Sequence, residues 1–206
     1  MHEEFQTVLR EHLARYPLME PQDCAKLAYQ STFGPAHAAG ERGDVLRQLL
    51  GECSALPADR EARPPERIGN GLCRVHLSGT GDWTLAAPLL ADLLLLTAAE
   101  ALPLPGMADW LAVYRRQGCP PVHHSPAYRE AYDPHYRVLR TAYGGYFPAL
   151  LAAARLARSG RPAVVAIDGR CGSGKSGLGD LMGRLLPCNV VHMDDYYLPP
   201  DRRAEN

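Results

Sequence analysis

A chain of 206 residues with 46% apolar and 22% charged residues has the composition of an ordinary globular protein, long enough for one large domain or two small ones. Its net charge of -1 leaves no general electrostatic footprint for nucleic acid or an acidic membrane, so neither is expected as a partner. The start, "MHEEFQTVLREHLARYP", is charged from residue 2 and has no signal-like apolar stretch, and the 6 cysteines show no C-x-x-C spacing; a cytoplasmic location with reduced thiols is expected.

Phe5, Val8, Leu9 and Leu13 recur at helical spacing over residues 3–15, and Pro17 closes that helix. "MEPQDCAKLAYQSTFG" places Pro21 near a helix start and Gly34 at its stop, and "DVLRQLLGEC" predicts a third, short helix. The Pro-, Arg- and Gly-rich stretch 54–71 reads as an exposed loop. Leu72, Arg74 and His76 then alternate with Cys73, Val75 and Leu77, the period of a short strand. Helices are predicted over 84–102 and 107–117. The first is the most apolar run of the chain, but it carries Pro88, Asp92 and Glu100 and is too short to span a bilayer comfortably, so it reads as a buried helix. "GCPPVHHSP" is a turn region. From residue 127 a broken helix is expected, interrupted at Pro134, then a Gly144-Gly145 break and a helix over 147–158, with Gly160 and Pro162 marking a join. Beyond the join the pattern gives a strand (163–168), a glycine-rich turn, a helix (174–186) and a second strand (189–194), one β-α-β unit. The predicted fold is therefore a mainly helical domain over 1–158, followed over 161–206 by the first β-α-β unit of an α/β fold with an incomplete parallel sheet.

The turn between those last elements carries the sharpest signal. Gly169-Arg170-Cys171-Gly172-Ser173-Gly174-Lys175-Ser176 fits G-x-x-x-x-G-K-[ST] at every fixed position. Backbone N–H groups must converge on phosphate oxygens there, and Gly169, Gly172 and Gly174 permit the conformations and close approach that a side chain would block. Lys175 supplies a cation for the β- and γ-phosphates of ATP, the Ser176 hydroxyl is placed for Mg²⁺, and Gly177 continues the helix start beside them. The competing reading is a glycine-rich turn without a ligand. Of 22 basic residues only Lys26 and Lys175 are lysines, and one of the two stands where this pattern demands Lys. Downstream, "VVHMDDYYLPP" ends the second predicted strand in an acidic pair, where a carboxylate can take the proton of an attacking hydroxyl or hold Mg²⁺ through water. An acidic turn is the plain alternative.

"VAIDGRCGSGKS" followed by "HMDDYYLPP" resembles the start of the uridine kinase-like group of P-loop kinases, relatives of phosphoribulokinase and pantothenate kinase. The resemblance covers residues 162 to about 203 and implies transfer of the γ-phosphoryl group of ATP, with Mg²⁺, to a hydroxyl of a small molecule, a nucleoside by family default. It places the base at Asp194 and the acceptor-facing aromatics at Tyr196 and Tyr197. "AIDGRCGSGKS" also resembles cytidylate kinase, whose substrate is a nucleotide; the DDYY segment ranks that second. The remaining strands, lid and adenine pocket of such a kinase do not follow, so the segment reads as truncated and the chain by itself as inactive in transfer. A non-catalytic, ATP-responsive module is the rival from another class.

The preceding part resembles, at "ARYPLMEPQDCAKLAYQSTFGPAHA" and "PPVHHSPAYREAYDPHYRVL", uncharacterised bacterial proteins that carry such a kinase domain at the C-terminus; this implies no activity. Tyr128, Tyr132 and Tyr136 repeat at i, i+4, i+8 with Pro134 between, near His123, His124 and His135. With Arg129 or Arg137 they compose either an interhelical seam, the favoured reading, or a polar pocket for an anion, which would make this part the enzyme. A metal site would need His37, His76, His123 and His124 to converge. The sequence leaves the acceptor and the oligomeric state open.

Overall fold

The structure, a computed structural model, describes residues 2–35, 38–57, 59, 63–77, 82–99, 116 and 122–196. Their elements are α1 (His2–Arg15), α2 (Pro21–Phe33), α3 (Arg42–Ala55), β1 (Glu66–Gly69), β2 (Leu72–His76), α4 (Trp83–Ala99), α5 (Pro126–Tyr132), β3 (Tyr136–Arg140), α6 (Thr141–Arg158), α7 (Lys175–Leu185) and a 3-10 turn, Met193–Tyr196. The chain divides into two compact units, Met1–Phe147 and Pro148–Asn206.

The first unit is built on a three-stranded antiparallel sheet in the order β1-β2-β3. Asn70 and Gly71 join β1 to β2 with both residues at positive φ, 52° and 70°, the backbone of a tight hairpin turn. β2 then pairs with β3 from Leu72 opposite Arg140 to His76 opposite Tyr136. One sheet face carries the cluster Val8, Leu27, Ile68 and Val138, closed by Phe5 and Leu9 of α1. The other face receives the start of α6. A Cβ at Gly144 would lie 2.6 Å from Cys73 Sγ and 3.1 Å from Val75 Cγ2, so glycine is what lets that helix sit so close. α4 is buried along Ala86, Leu89, Leu90, Leu93 and Leu94 and is tied to α3 by a two-point Arg42–Asp92 ion pair at 2.5 and 3.0 Å. No helix among the described residues is long and apolar enough to cross a membrane.

A polar layer lies inside this unit. Arg74, on β2, is 1% exposed. Its Nε and Nη2 donate to Gln30 Oε1 at 3.1 and 2.9 Å, its Nη1 stands 3.7 Å from Glu66 Oε2, and its guanidinium covers the Tyr136 ring at 4.6 Å. Asp23, at the start of α2, is wholly buried and fully engaged. Oδ1 accepts from Ser125 N and meets His124 Nδ1, while Oδ2 accepts from Ser125 Oγ and Glu20 N, all at 2.7–3.0 Å. These bonds hold the Asp23 carboxyl below its ordinary range although burial alone would raise it.

Four expectations change. The sheet is antiparallel, and no parallel sheet is present: among the described residues, 163–168 and 189–194 form no strand, and Met193 and Asp194 enter the 3-10 turn. An apolar run can join a ladder, but only hydrogen-bonded partners make it a strand, and a parallel sheet needs both faces covered. Here Val164 is 97% and Val191 63% exposed. Val190 and Ile167 instead approach the glycine face of α7 at Gly179, within 3.5 and 3.9 Å of where a Cβ would be. The loop expected over 54–71 contains β1. The helix expected from 127 stops at Tyr132, because Asp133 turns left-handed (φ 41°), and Tyr136 opens β3. α6 runs unbroken through Gly144, Gly145 and Pro148. The helix predicted over 107–117 lies outside the described residues except at Arg116.

Candidate functional site

In the second unit the glycine-rich loop folds through near neighbours. Gly172 and Gly174 take positive φ, 73° and 87°, which L side chains adopt only with strain. A Cβ at Gly169 would stand 2.8 Å from Ser173 Oγ, so a side chain there would make that hydroxyl turn away. Ser173 N donates to Arg170 O at 3.2 Å, and Gly169 N to Asp168 Oδ1 at 2.7 Å. Gly174 is the N-cap of α7: its carbonyl accepts from Leu178 N at 2.9 Å. The N–H groups of Lys175, Ser176 and Gly177 then fall in the first helical turn, whose donors have no acceptor within the helix. They point with the positive end of the helix dipole, the arrangement that favours an anion. Lys175 Nζ folds back over the loop and donates to Gly169 O at 2.7 Å and Arg170 O at 3.0 Å, so backbone donors and an ammonium share one small surface.

ATP and Mg²⁺, implied by the sequence resemblance, can be tested against this geometry. The loop fits a phosphate chain: its glycines occupy conformations or spacings where a Cβ would intrude, and Cys171, Arg170 and Ser176 lie exposed at its rim. A metal held by protein alone is not supported, since no group of three His, Cys, Asp or Glu is placed for one among the described residues. Mg²⁺ would take the Ser176 hydroxyl together with phosphate oxygens.

Asp194 and Asp195 sit on the exposed 3-10 turn, and neither carboxylate bonds to the loop among the described residues. The segment before them is tied to α7 by His192 Nε2, 3.2 Å from Asp180 Oδ1. Tyr196 is 72% exposed, and Tyr197 lies outside the described residues. The loop residues and Lys175 are thus assembled, while the base and aromatic positions are near α7 only through the chain.

The His/Tyr cluster of the first unit separates into two arrangements. Tyr128 and Tyr132 form a seam with Tyr16, ring centres 4.8–5.3 Å apart. His124 stacks on Tyr128 at 4.1 Å and bridges Asp23 to the Tyr136 hydroxyl, 2.7 Å on each side. Burial pushes the His124 imidazole down to about 4, so it is neutral near pH 7: Nδ1–H donates to Asp23, and Nε2 accepts from Tyr136. His135 belongs elsewhere, with Glu52 Oε1 at 2.7 Å. His37 lies outside the described residues, and His76 stands 3.9 Å from Glu66. Sequence reasoning did not find Asp23, which looks like an ordinary first-turn acid, nor Gln30 and Lys26.

No protein-family model, no curated protein and no solved structure matches this chain.

Proposed function

We propose that the segment 169–196 is the phosphate-binding part of an ATP-dependent small-molecule kinase of uridine kinase-like type. In this reading the loop from Gly169 to Ser176, with Gly177, receives the triphosphate of ATP, and Mg²⁺ supplies charge neutralisation when bound at Ser176. Lys175 stabilises the charge that develops on the transferring group. Asp194 orients a small-molecule hydroxyl and accepts its proton, with Tyr196 and Tyr197 beside the acceptor. The observation that supports this reading best is local: two left-handed glycines, a glycine packed close against Ser173, and a lysine folded onto the loop at the N-terminus of an 11-residue helix.

Calorimetry with ATP and Mg²⁺ tests it. Lys175→Ala is expected to weaken ATP by on the order of thirtyfold or more, the usual loss when one partner of a close charge pair is removed. Because Lys175 also braces the loop, Lys175→Arg and far-ultraviolet circular dichroism check that α7 still forms. ATP affinity unchanged in Lys175→Ala, or absent from the parent chain, would sink the assignment. Nucleotide binding without transfer is what the kinase reading expects of this chain, so only transfer to a hydroxyl acceptor would exclude the non-catalytic, ATP-responsive module.

A further inference from the structure

The first unit holds a cleft of about 400 Å³ between α2, α3, α5 and β3, within the size range of small-molecule sites. Its charge does not balance. Arg137 is spent on Glu52, Nη2 to Oε2 at 2.6 Å, and His135 takes the other Glu52 oxygen at 2.7 Å. That leaves Lys26 and Arg129. Lys26 Nζ donates to a neutral acceptor, the Val122 carbonyl, at 2.7 Å, and no carboxylate lies within ion-pair distance of it among the described residues. Arg129 stands exposed at the rim with no ion-pair partner among the described residues. Asp23 contacts neither cation, because four hydrogen bonds already occupy its two oxygens; its charge reaches Lys26 only at a distance. Beneath the cleft Arg74 is fully buried, its charge set against the Glu66 carboxylate at 3.7 Å.

The rest of the lining is equally directional. Gln30, His124 and Tyr136 make a hydrogen-bonded floor in which each proton has one consistent place. Arg74 donates to Gln30 Oε1, Gln30 Nε2 donates to the Tyr136 hydroxyl at 3.3 Å, and Tyr136 donates to His124 Nε2 at 2.7 Å. The Tyr136 oxygen keeps one acceptor site. Val45, Leu94 and Val138 supply an apolar wall. The choice of lysine is itself informative. In a chain with 22 basic residues of which only Lys26 and Lys175 are lysines, arginine is the default cation. A compact ammonium with rotating donors stands at two positions, and the other one is in the phosphate loop.

We infer that this cleft binds a small organic oxyanion, its carboxylate or phosphate held between Lys26 and Arg129 and its apolar body against Val45 and Leu94. Burial draws the Lys26 ammonium down to about 8, and Arg74 and Arg129 push the same way while Asp23 opposes them. The neutral His124 faces it as well. An anion seated at Lys26 reverses that balance and raises its titration midpoint.

The two lysines make the test direct. In protein carrying ¹³Cε-lysine, two Cε signals are assigned with Lys26→Arg and Lys175→Ala. Inorganic phosphate, benzoate and phenyl phosphate are then titrated at constant ionic strength. The Lys26 signal is expected to shift saturably, to respond to benzoate or phenyl phosphate at concentrations on the order of tenfold lower than to inorganic phosphate because the ring buries apolar surface, and to titrate at higher pH once the probe is bound. Benzoate against phenyl phosphate tells which headgroup is preferred. Arg129→Ala, a rim change, should weaken the response on the order of tenfold. The Lys26 response should persist in Lys175→Ala, which separates this site from the phosphate loop. A Lys26 signal that no probe moves, that drifts linearly and equally with chloride, or that is unaffected by Arg129→Ala would overturn the proposal.

Discussion

The two units keep their shape by opposite means. In Met1–Phe147 the polar groups that matter are partners across the chain: Asp23 bonds His124 and Ser125 about a hundred residues on, Gln30 bonds Tyr136, and Arg74 bonds Gln30, all in the interior. In Pro148–Asn206 the loop is held by bonds spanning six residues or fewer, and its apolar segments lie at the surface, with Val164 97% exposed. A motif of short-range bonds is written in contiguous residues and takes its shape locally. A buried network exists only once the distant parts have met, so removing one member strands the others.

That contrast can be broken at its strongest point by Arg74→Leu. The change leaves the buried Gln30 carbonyl without its donor and the buried Glu66 carboxylate with only the exposed Arg15 as a cation, and should cost the first unit about 3–5 kcal/mol. Urea denaturation at neutral pH measures it, and a loss below about 1 kcal/mol, the worth of an exposed ion pair, would show that the layer is not cooperative.

Acid comes next. His124 titrates lower in the folded chain, at about 4, than its ordinary 6.5, so the unfolded chain binds the proton first. Its contribution is complete above pH 6.5 and is lost as pH falls from 6.5 towards 4, with a ceiling of about 3 kcal/mol. His12, also drawn down by burial, acts in the same direction. Asp23, held down by its hydrogen bonds, adds its own loss only below its ordinary 3.8. Stability followed over that window should flatten in His124→Gln; an unchanged slope would assign the acid sensitivity elsewhere. The smallest effect is expected in the second unit, where Val164→Ser should change stability by less than about 0.5 kcal/mol, as exposed positions do. A larger loss would mean that this valine is covered in solution.

The helices α1 to α4 were legible because their apolar spacing is local. The hairpin was read as loop: Asn70-Gly71 is a turn signal, but the Pro- and Arg-rich surroundings and the short, charged β1 hid the strand before it. Pro134 signalled an interruption, but β3 was masked because Tyr128, Tyr132 and Tyr136 keep helical spacing across the helix end that left-handed Asp133 makes. Gly144 looked like a break because glycine signals both a break and a close approach, and only the distance to Cys73 distinguishes them. The strands expected at 163–168 and 189–194 failed for the converse reason: residue pattern states what a segment can do, and ladder partners decide what it does. The glycine loop could be read residue by residue. The Lys26 cleft could not, apart from the scarcity of lysine, because its lining is drawn from residues 26 to 138.

The separation between Asp23 and His124 also sets an order of events in the cell. At a synthesis rate of about 5–20 residues per second, the ribosome makes α2 roughly 5–20 s before the histidine that its aspartate binds. Throughout that interval α1 and α2 are present without β3, so Asp23 and Gln30 stay wet and Leu27 lacks Val138. The buried network of the first unit therefore closes only after β3 has been made.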